Sequence, residues 1–247
     1  MKNTHKTGDK MSSSHKLFSV IILILLFPAV LALTFSGTGG ITPQFLYIKT
    51  LLSAGFIVTC AVSAHRSGEF GRLSLFCLIG LVFGMLGDIF IDLKIQLEGM
   101  STLSGLLFFL VQHIVWCTGM ILSAKSSPHK KRLFITLPAS AVGLWIFIIV
   151  LVKVVGAELG NMTAPVFIYG TILTWAIAIP FTLREKKDLR LTALGIAAIL
   201  FFISDAILVK GLFAGSYSVV GSAFNLLTYY YAQYIIALST GLRDRKD

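Results

Sequence analysis

Apolar runs of about 20 residues recur along the chain, near 17–35, 45–64, 72–93, 102–123, 133–154, 164–183, 191–213 and 219–241. Polar positions gather between them, in connections too short to hold a soluble domain. Each run can cross a hydrocarbon core of roughly 30 Å as a helix. The pattern predicts an all-α polytopic bundle of eight transmembrane helices forming a single domain over 17–241. A flexible basic tail over 1–16 precedes it, and a short tail over 242–247 follows. Lys2, Lys6, Lys10 and Lys16 ahead of the first run resemble the start of a cleavable signal. The run is long for a signal, however, and no small-x-small site precedes the Ser36-Gly37-Thr38-Gly39-Gly40 loop, so it reads as a retained span.

Composition agrees with the pattern. The 247 residues are 56% hydrophobic and 13% charged, with a mean hydropathy of +0.86, far more apolar than a soluble domain. The chain therefore reads as an integral multi-pass protein. Its site would be the cell or inner membrane of a bacterium, or the endoplasmic reticulum or a similar endomembrane of a eukaryote. Of the 21 Lys and Arg residues, 17 lie in the N-terminus, the connections after helices two, four and six, and the C-terminal tail. That bias places both termini on the cytoplasmic side. It also accounts for the net charge of +10 through topology and anionic lipid headgroups, so nucleic acid is not an expected partner. Cys60, Cys77 and Cys117 all sit inside apolar runs without CxxC or Cys/His ligand spacing, and read as small buried side chains. No GxSxG elbow, P-loop or GxGxxG motif supports a serine hydrolase, an NTPase or a dinucleotide enzyme.

Against this background, the acids inside the apolar runs stand out. Asp88 in LVFGMLGDIFIDLK and Asp205 in IAAILFFISDAILVK lie in sequence that is otherwise hydrocarbon-like. A carboxylate at membrane depth is costly unless paired, hydrated or protonated, so both are expected to face the bundle interior and to act there. Asp92 shares a helical face with Asp88, one turn on, and two adjacent carboxylates in low dielectric resist ionising together. The competing reading for Asp92 is solvation near the helix end or pairing with Lys94. For Asp205 it is a salt bridge to Lys49 or Lys210, with Lys210 also placed to snorkel. Lys49, one turn inside the second run, would neutralise a carboxylate or bind a lipid phosphate.

His113 lies mid-helix beside Gln112, and a lone histidine there is most simply a hydrogen-bonding residue. No HExxH or compact His/Asp cluster points to a metal, and no cofactor is expected. Asn225, Tyr229, Tyr230, Tyr231 and Gln233 crowd the eighth run with hydrogen-bonding groups. Tyr230 and Gln233, three apart, share a face that should point inward. Gly80, Gly84 and Gly87 form a small-residue stripe on the third helix, predicting close packing that brings Asp88 against a neighbour.

Helices three and four resemble seven and eight. Gly87-Asp88 with Lys94 echoes Ser204-Asp205 with Lys210, and Leu106-Leu107 through Gln112-His113 echoes Leu226-Leu227 through Ala232-Gln233, at an offset of about 117 to 120 residues. Four helices preserve direction across the membrane, so this would be a parallel 4+4 duplication about an axis near the membrane normal. It sets Asp88 and Asp205 at matched depth and makes Lys49 the counterpart of Tyr169.

Taken together, Lys49 after Tyr47-Ile48, Gly87-Asp88, His113, Ser204-Asp205 and Tyr230-Tyr231-Ala232-Gln233 resemble the YhhN-type lysoplasmalogenase family of eight-helix membrane proteins. These positions span helices two to eight. One departure is visible: proline commonly follows the helix-two lysine in that pattern, whereas Thr50 does here. The resemblance implies hydrolysis of the vinyl ether bond of lysoplasmalogens, with a lysophospholipid substrate drawn from among membrane lipids. On this reading Asp88 and Asp205 divide acid and counter-ion roles, as paired carboxylates do in glycoside hydrolysis. Lys49 holds phosphate or tunes a carboxylate. His113, Tyr230 and Gln233 position water or the glycerol hydroxyl, and Tyr169 and Asn225 support the site. A proton-coupled transporter or lipid-binding protein using the same acids is the alternative, and a structural role as helix glue the third.

Overall fold

The computed structural model describes residues 13–37, 42–68, 70–96, 102–124, 127–155, 159–185, 188–213 and 218–242. Every apolar run becomes a helix: α1 (Ser13–Ser36), α2 (Pro43–Arg66), α3 (Arg72–Gln96), α4 (Thr102–Ser123), α5 (Leu133–Val155), α6 (Thr163–Leu183), α7 (Leu189–Phe213) and α8 (Val219–Ser239). Single 3₁₀ turns at Pro128–Arg132 and Gly160–Met162 lead into α5 and α6. A helix satisfies its own backbone hydrogen bonds, as a chain in lipid must. Local signals fix the starts. Thr42 caps α2, its Oγ1 accepting from Phe45 N at 3.1 Å, with Pro43 in the first turn, where its missing N–H costs nothing. Ser218 caps α8, accepting from Gly221 N at 3.0 Å.

Seven of these helices are long and apolar enough to cross a membrane, which makes this a multi-pass membrane protein. The expected eighth span, α8, is formed but stands apart from those seven, because its interior carries Asn225, Thr228, three successive tyrosines and Gln233. Its surroundings explain how it bears them. α1, α2, α3 and α7 all pack against α8, so its polar side chains meet protein rather than lipid. Tyr230 and Gln233 are fully buried.

The glycine stripe does what its spacing predicts. A side chain at Gly80 would run into Trp116 of α4, and one at Gly87 would meet the Phe109 ring at 2.8 Å. At Gly84 it would lie 2.5 Å from Gln112 Oε1 and 2.8 Å from Gln233 Nε2. α3 and α4 form the most extensive helix pair of the bundle, and the stripe is what lets them approach. By contrast α5 packs on α6 and turns Trp145, Ile146, Ile149 and Val150 outward, a lipid-facing surface.

Gly84→Leu is expected to wedge α4 and α8 away from α3 and to cost about 1–3 kcal/mol or more by overpacking. Gly143→Leu on α5, where nothing lies within 4 Å of the added carbon, should be neutral or gain up to about 1 kcal/mol of helix propensity. Thermal unfolding in detergent micelles compares the two; equal melting temperatures would contradict the packing.

Candidate active site

On α2, Lys49 and Ser53 are four residues apart and share a face; on α3, Asp88 and Asp92 do the same. The two helices are neighbours, and these faces meet. Lys49 Nζ lies 2.9 Å from Asp92 Oδ2 and 3.4 Å from Asp88 Oδ1, so one ammonium holds two carboxylates. Asp88 Oδ2 accepts from Ser53 Oγ at 2.6 Å and from Tyr229 OH of α8 at 2.6 Å. All three charged side chains are buried, at 7% exposure for Lys49, 3% for Asp88 and 5% for Asp92.

The network continues inward through α8. Gln233 Nε2 donates to Tyr229 OH at 3.0 Å, and Gln112 Nε2 of α4 donates to Gln233 Oε1 at 2.8 Å. Tyr230 OH donates to the Lys49 carbonyl at 3.2 Å. Tyr230 thus braces the backbone that carries the lysine, and Gln233 orients the tyrosine that meets Asp88. The exact fit of donors around Asp88 matters because an unmatched charge in this interior would be costly.

Asp205 belongs to a second cluster. Tyr169 OH of α6 donates to its Oδ2 at 2.5 Å. One residue before it, Ser204 is locked to α8: Asn225 Nδ2 donates to the Ser204 carbonyl at 2.7 Å and lies 3.0 Å from Ser204 Oγ. Asn225 therefore fixes the turn of α7 that presents the acid. Asp205 is only half-buried, and it lines a narrow cleft of about 70 Å³ between α5 and α7, floored by α6. The other lining groups, apart from Tyr169, are apolar.

An aromatic layer joins the clusters. The Tyr229 and Phe201 ring centroids lie 5.3 Å apart, those of Phe201 and His113 4.6 Å, and those of His113 and Tyr169 5.7 Å. His113 Nδ1 lies 2.7 Å from the Phe109 carbonyl. A carbonyl can only accept, so Nδ1 carries the proton, leaving Nε2 buried without a hydrogen-bond partner among the described residues.

The structure therefore gathers Lys49, Asp88 and Asp92 in one place, with Tyr230 and Gln233 behind them, and Asp205 and Tyr169 in another. Lys49 pairs with the α3 acids rather than with Asp205. Lys210 is exposed, and Asp205 takes a tyrosine as its partner instead. The Lys94 side chain, the other partner considered for Asp92, falls outside the described residues. Among the described residues no three His, Cys, Asp or Glu side chains group as metal ligands. Ser53 escaped the sequence reading, its one signal being that it lies one turn after Lys49. Tyr229 stood among the hydrogen-bonding groups of the eighth run but was given no place beside an acid.

Lys49→Met keeps the aliphatic stem but strands two buried carboxylates, and should cost about 3–5 kcal/mol. Adding Asp92→Asn should recover part of that loss. A melting temperature for Lys49→Met equal to that of the parent would show that the ammonium does not hold α2 to α3.

No curated protein and no solved structure matches the chain. A family model does: that of the YhhN family, over residues 44–240, from the start of α2 to the end of α8. That match covers Lys49, both acid clusters and the tyrosines of α8, and on it the chain belongs to the YhhN family.

Proposed function

We propose that this YhhN-family protein is a hydrolase that cleaves the vinyl ether bond of lysoplasmalogens within the membrane, releasing a fatty aldehyde and the glycerophospho-headgroup. Beyond family membership, the observation that carries the reading is the Tyr169–Asp205 pair on the wall of an otherwise apolar cleft. A carboxyl group held by a phenol and bordered by hydrocarbon-like side chains suits proton transfer to a lipid carbon.

The chemistry follows from the bond. In R–CH=CH–O–R′ the oxygen lone pair makes the β-carbon basic. Asp205 in its acid form delivers a proton there, giving R–CH₂–CH=O⁺–R′ and a carboxylate. Water adds to the oxocarbenium carbon and loses a proton to that carboxylate, restoring the acid. The resulting hemiacetal collapses to R–CH₂–CHO and HO–R′. Tyr169 holds the carboxyl group in line, and the anion formed beside the cation lowers the barrier as oriented carboxylates do at glycosidic centres. Asp88, held by Lys49, Ser53 and Tyr229, supplies fixed negative charge from the neighbouring cluster. Lys49, engaged with two carboxylates, tunes that charge.

The two clusters also support a parallel duplication. Lys49 on α2 meets Asp88 on α3, and Tyr169 on α6 meets Asp205 on α7. The pairings α2 with α8 and α6 with α4 correspond in the same way. On this reading one ancestral half supplied a basic or phenolic partner to an acid, and the two copies diverged into a sealed charge cluster and an open acid site.

Purified protein incubated with lysoplasmenylethanolamine should release fatty aldehyde, while the corresponding acyl ester lysolipid stays intact. Asp205→Asn should slow release by about 10²–10⁴-fold, the usual worth of a positioned acid or base, and Asp88→Asn, which removes charge from the neighbouring cluster, should slow it by less. Unchanged turnover in both variants would overturn the mechanism. Solute or proton flux in proteoliposomes, with no aldehyde formed, would assign the acids to transport instead.

A further inference from the structure

The cleft beside Asp205 has a shape and a location that restrict what can occupy it. It lies between α5 and α7, whose outward side chains (Trp145 and Ile146 on α5, Ile199 and Ile203 on α7) are exposed and apolar. In a membrane protein such a surface faces acyl chains, so the cleft opens sideways into hydrocarbon. Its lining runs from Phe202 to Val209 on α7 and from Val166 to Leu173 on α6, about 10 Å along the helices at 1.5 Å per residue. Asp205 and Tyr169 stand near the middle of that length. Phe147 of α5 and Phe202 of α7 face each other with ring centroids 5.7 Å apart, which narrows one end. At about 70 Å³ the cleft is narrow, with room for a few methylenes of one chain rather than for a whole ligand.

We propose that this cleft binds the head-proximal segment of a single aliphatic chain of a membrane lysolipid, entering sideways between α5 and α7. The far end of the chain remains in the bilayer. The proposal rests on the hydrolase reading and deepens it by naming how the substrate reaches Asp205. The first carbons of the chain lie against Leu144, Ile148, Leu173 and Phe202, and the linkage to glycerol comes level with Tyr169 and Asp205. Two consequences follow. Chain length is read weakly, because the cleft grips only a short segment; and a second chain on the same glycerol is excluded, because about 70 Å³ holds a short segment of one chain only.

Binding can be measured without turnover. The native cysteines Cys60, Cys77 and Cys117 are buried, so Val152→Cys, on the cleft wall but outside the Phe147–Phe202 pair, offers a selective site for a bimane label in reconstituted, full-length protein. A lysophosphatidylcholine carrying a nitroxide on the first carbons of its chain should quench that label saturably. The same nitroxide on a diacyl phosphatidylcholine should quench it only in proportion to its bulk concentration. Phe134→Cys, at 84% exposure on the outer face of α5, should report bulk behaviour for both lipids. Filling the cleft by Ala206→Phe, or by Val209→Phe should the first variant not fold, should weaken the saturable component by about tenfold or more. Identical bulk quenching at positions 152 and 134, or saturable quenching untouched by a well-folded filled variant, would overturn the proposal. Saturable binding without aldehyde release would instead leave the cleft standing and overturn the vinyl ether reading.

Discussion

One buried ammonium between two carboxylates sets the terms for the rest of the bundle. Ions taken out of water lose several kcal/mol of solvation each, and they recover it only with close partners and filled hydrogen-bonding positions. Lys49 meets Asp88 and Asp92 at ion-pair distance, and the second oxygen of Asp88 is filled by Ser53 and Tyr229. Those contacts fix the antiparallel register of α2 on α3, since a slip of one residue on either helix would rotate a charged side chain toward lipid. They also fix the rotation of α8, whose Tyr229 must point at the same carboxylate. The hydrogen-bonded row from Tyr229 through Gln233 to Gln112 carries the constraint across to α4.

A polar helix at the centre is the structural consequence. In lipid, apolar side chains gain nothing from association by the hydrophobic effect, so helices are held by close packing and by hydrogen bonds between them. α8 supplies the bonds and the glycines of α3 supply the closeness. The Ser204–Asn225 clamp uses the same principle one helix further on, where it orients Asp205. Of the two acid sites, one is closed by its own partners and the other borders open apolar space. That asymmetry, rather than the presence of two acids, is the functional content of the fold.

The helices were legible in the sequence because hydropathy at membrane scale is a strong signal, and all eight apolar runs formed helices. Asp88 and Asp205 were legible for the complementary reason, since a carboxylate in such a run violates the local pattern. What was not legible was partnership. Spacing placed Asp92 beside Asp88, and the internal repeat matched Lys49 to Tyr169, but choosing between Lys49 and Lys210 as neighbours of Asp205 requires knowing which helices touch. The structure gives Asp205 a phenol and gives Lys49 to α3. Ser53 was invisible because a serine in an apolar helix most often bonds to its own backbone, as its Oγ also does here, at 3.0 Å from the Lys49 carbonyl. The cleft was invisible because apolar lining residues look the same in sequence as apolar core residues.

The central claim is that a protein carboxyl group protonates a lipid carbon, and isotope incorporation tests it most directly. Protein in D₂O would be given lysoplasmenylethanolamine, the aldehyde reduced at once to the alcohol, and the product read by mass spectrometry. The mechanism predicts aldehyde with a single deuterium on the carbon that was the β-carbon of the vinyl ether, formed about 10²–10⁴-fold more slowly by Asp205→Asn than by the parent protein. Aldehyde formed by Asp205→Asn as fast as by the parent, or aldehyde without deuterium at that carbon, would contradict it.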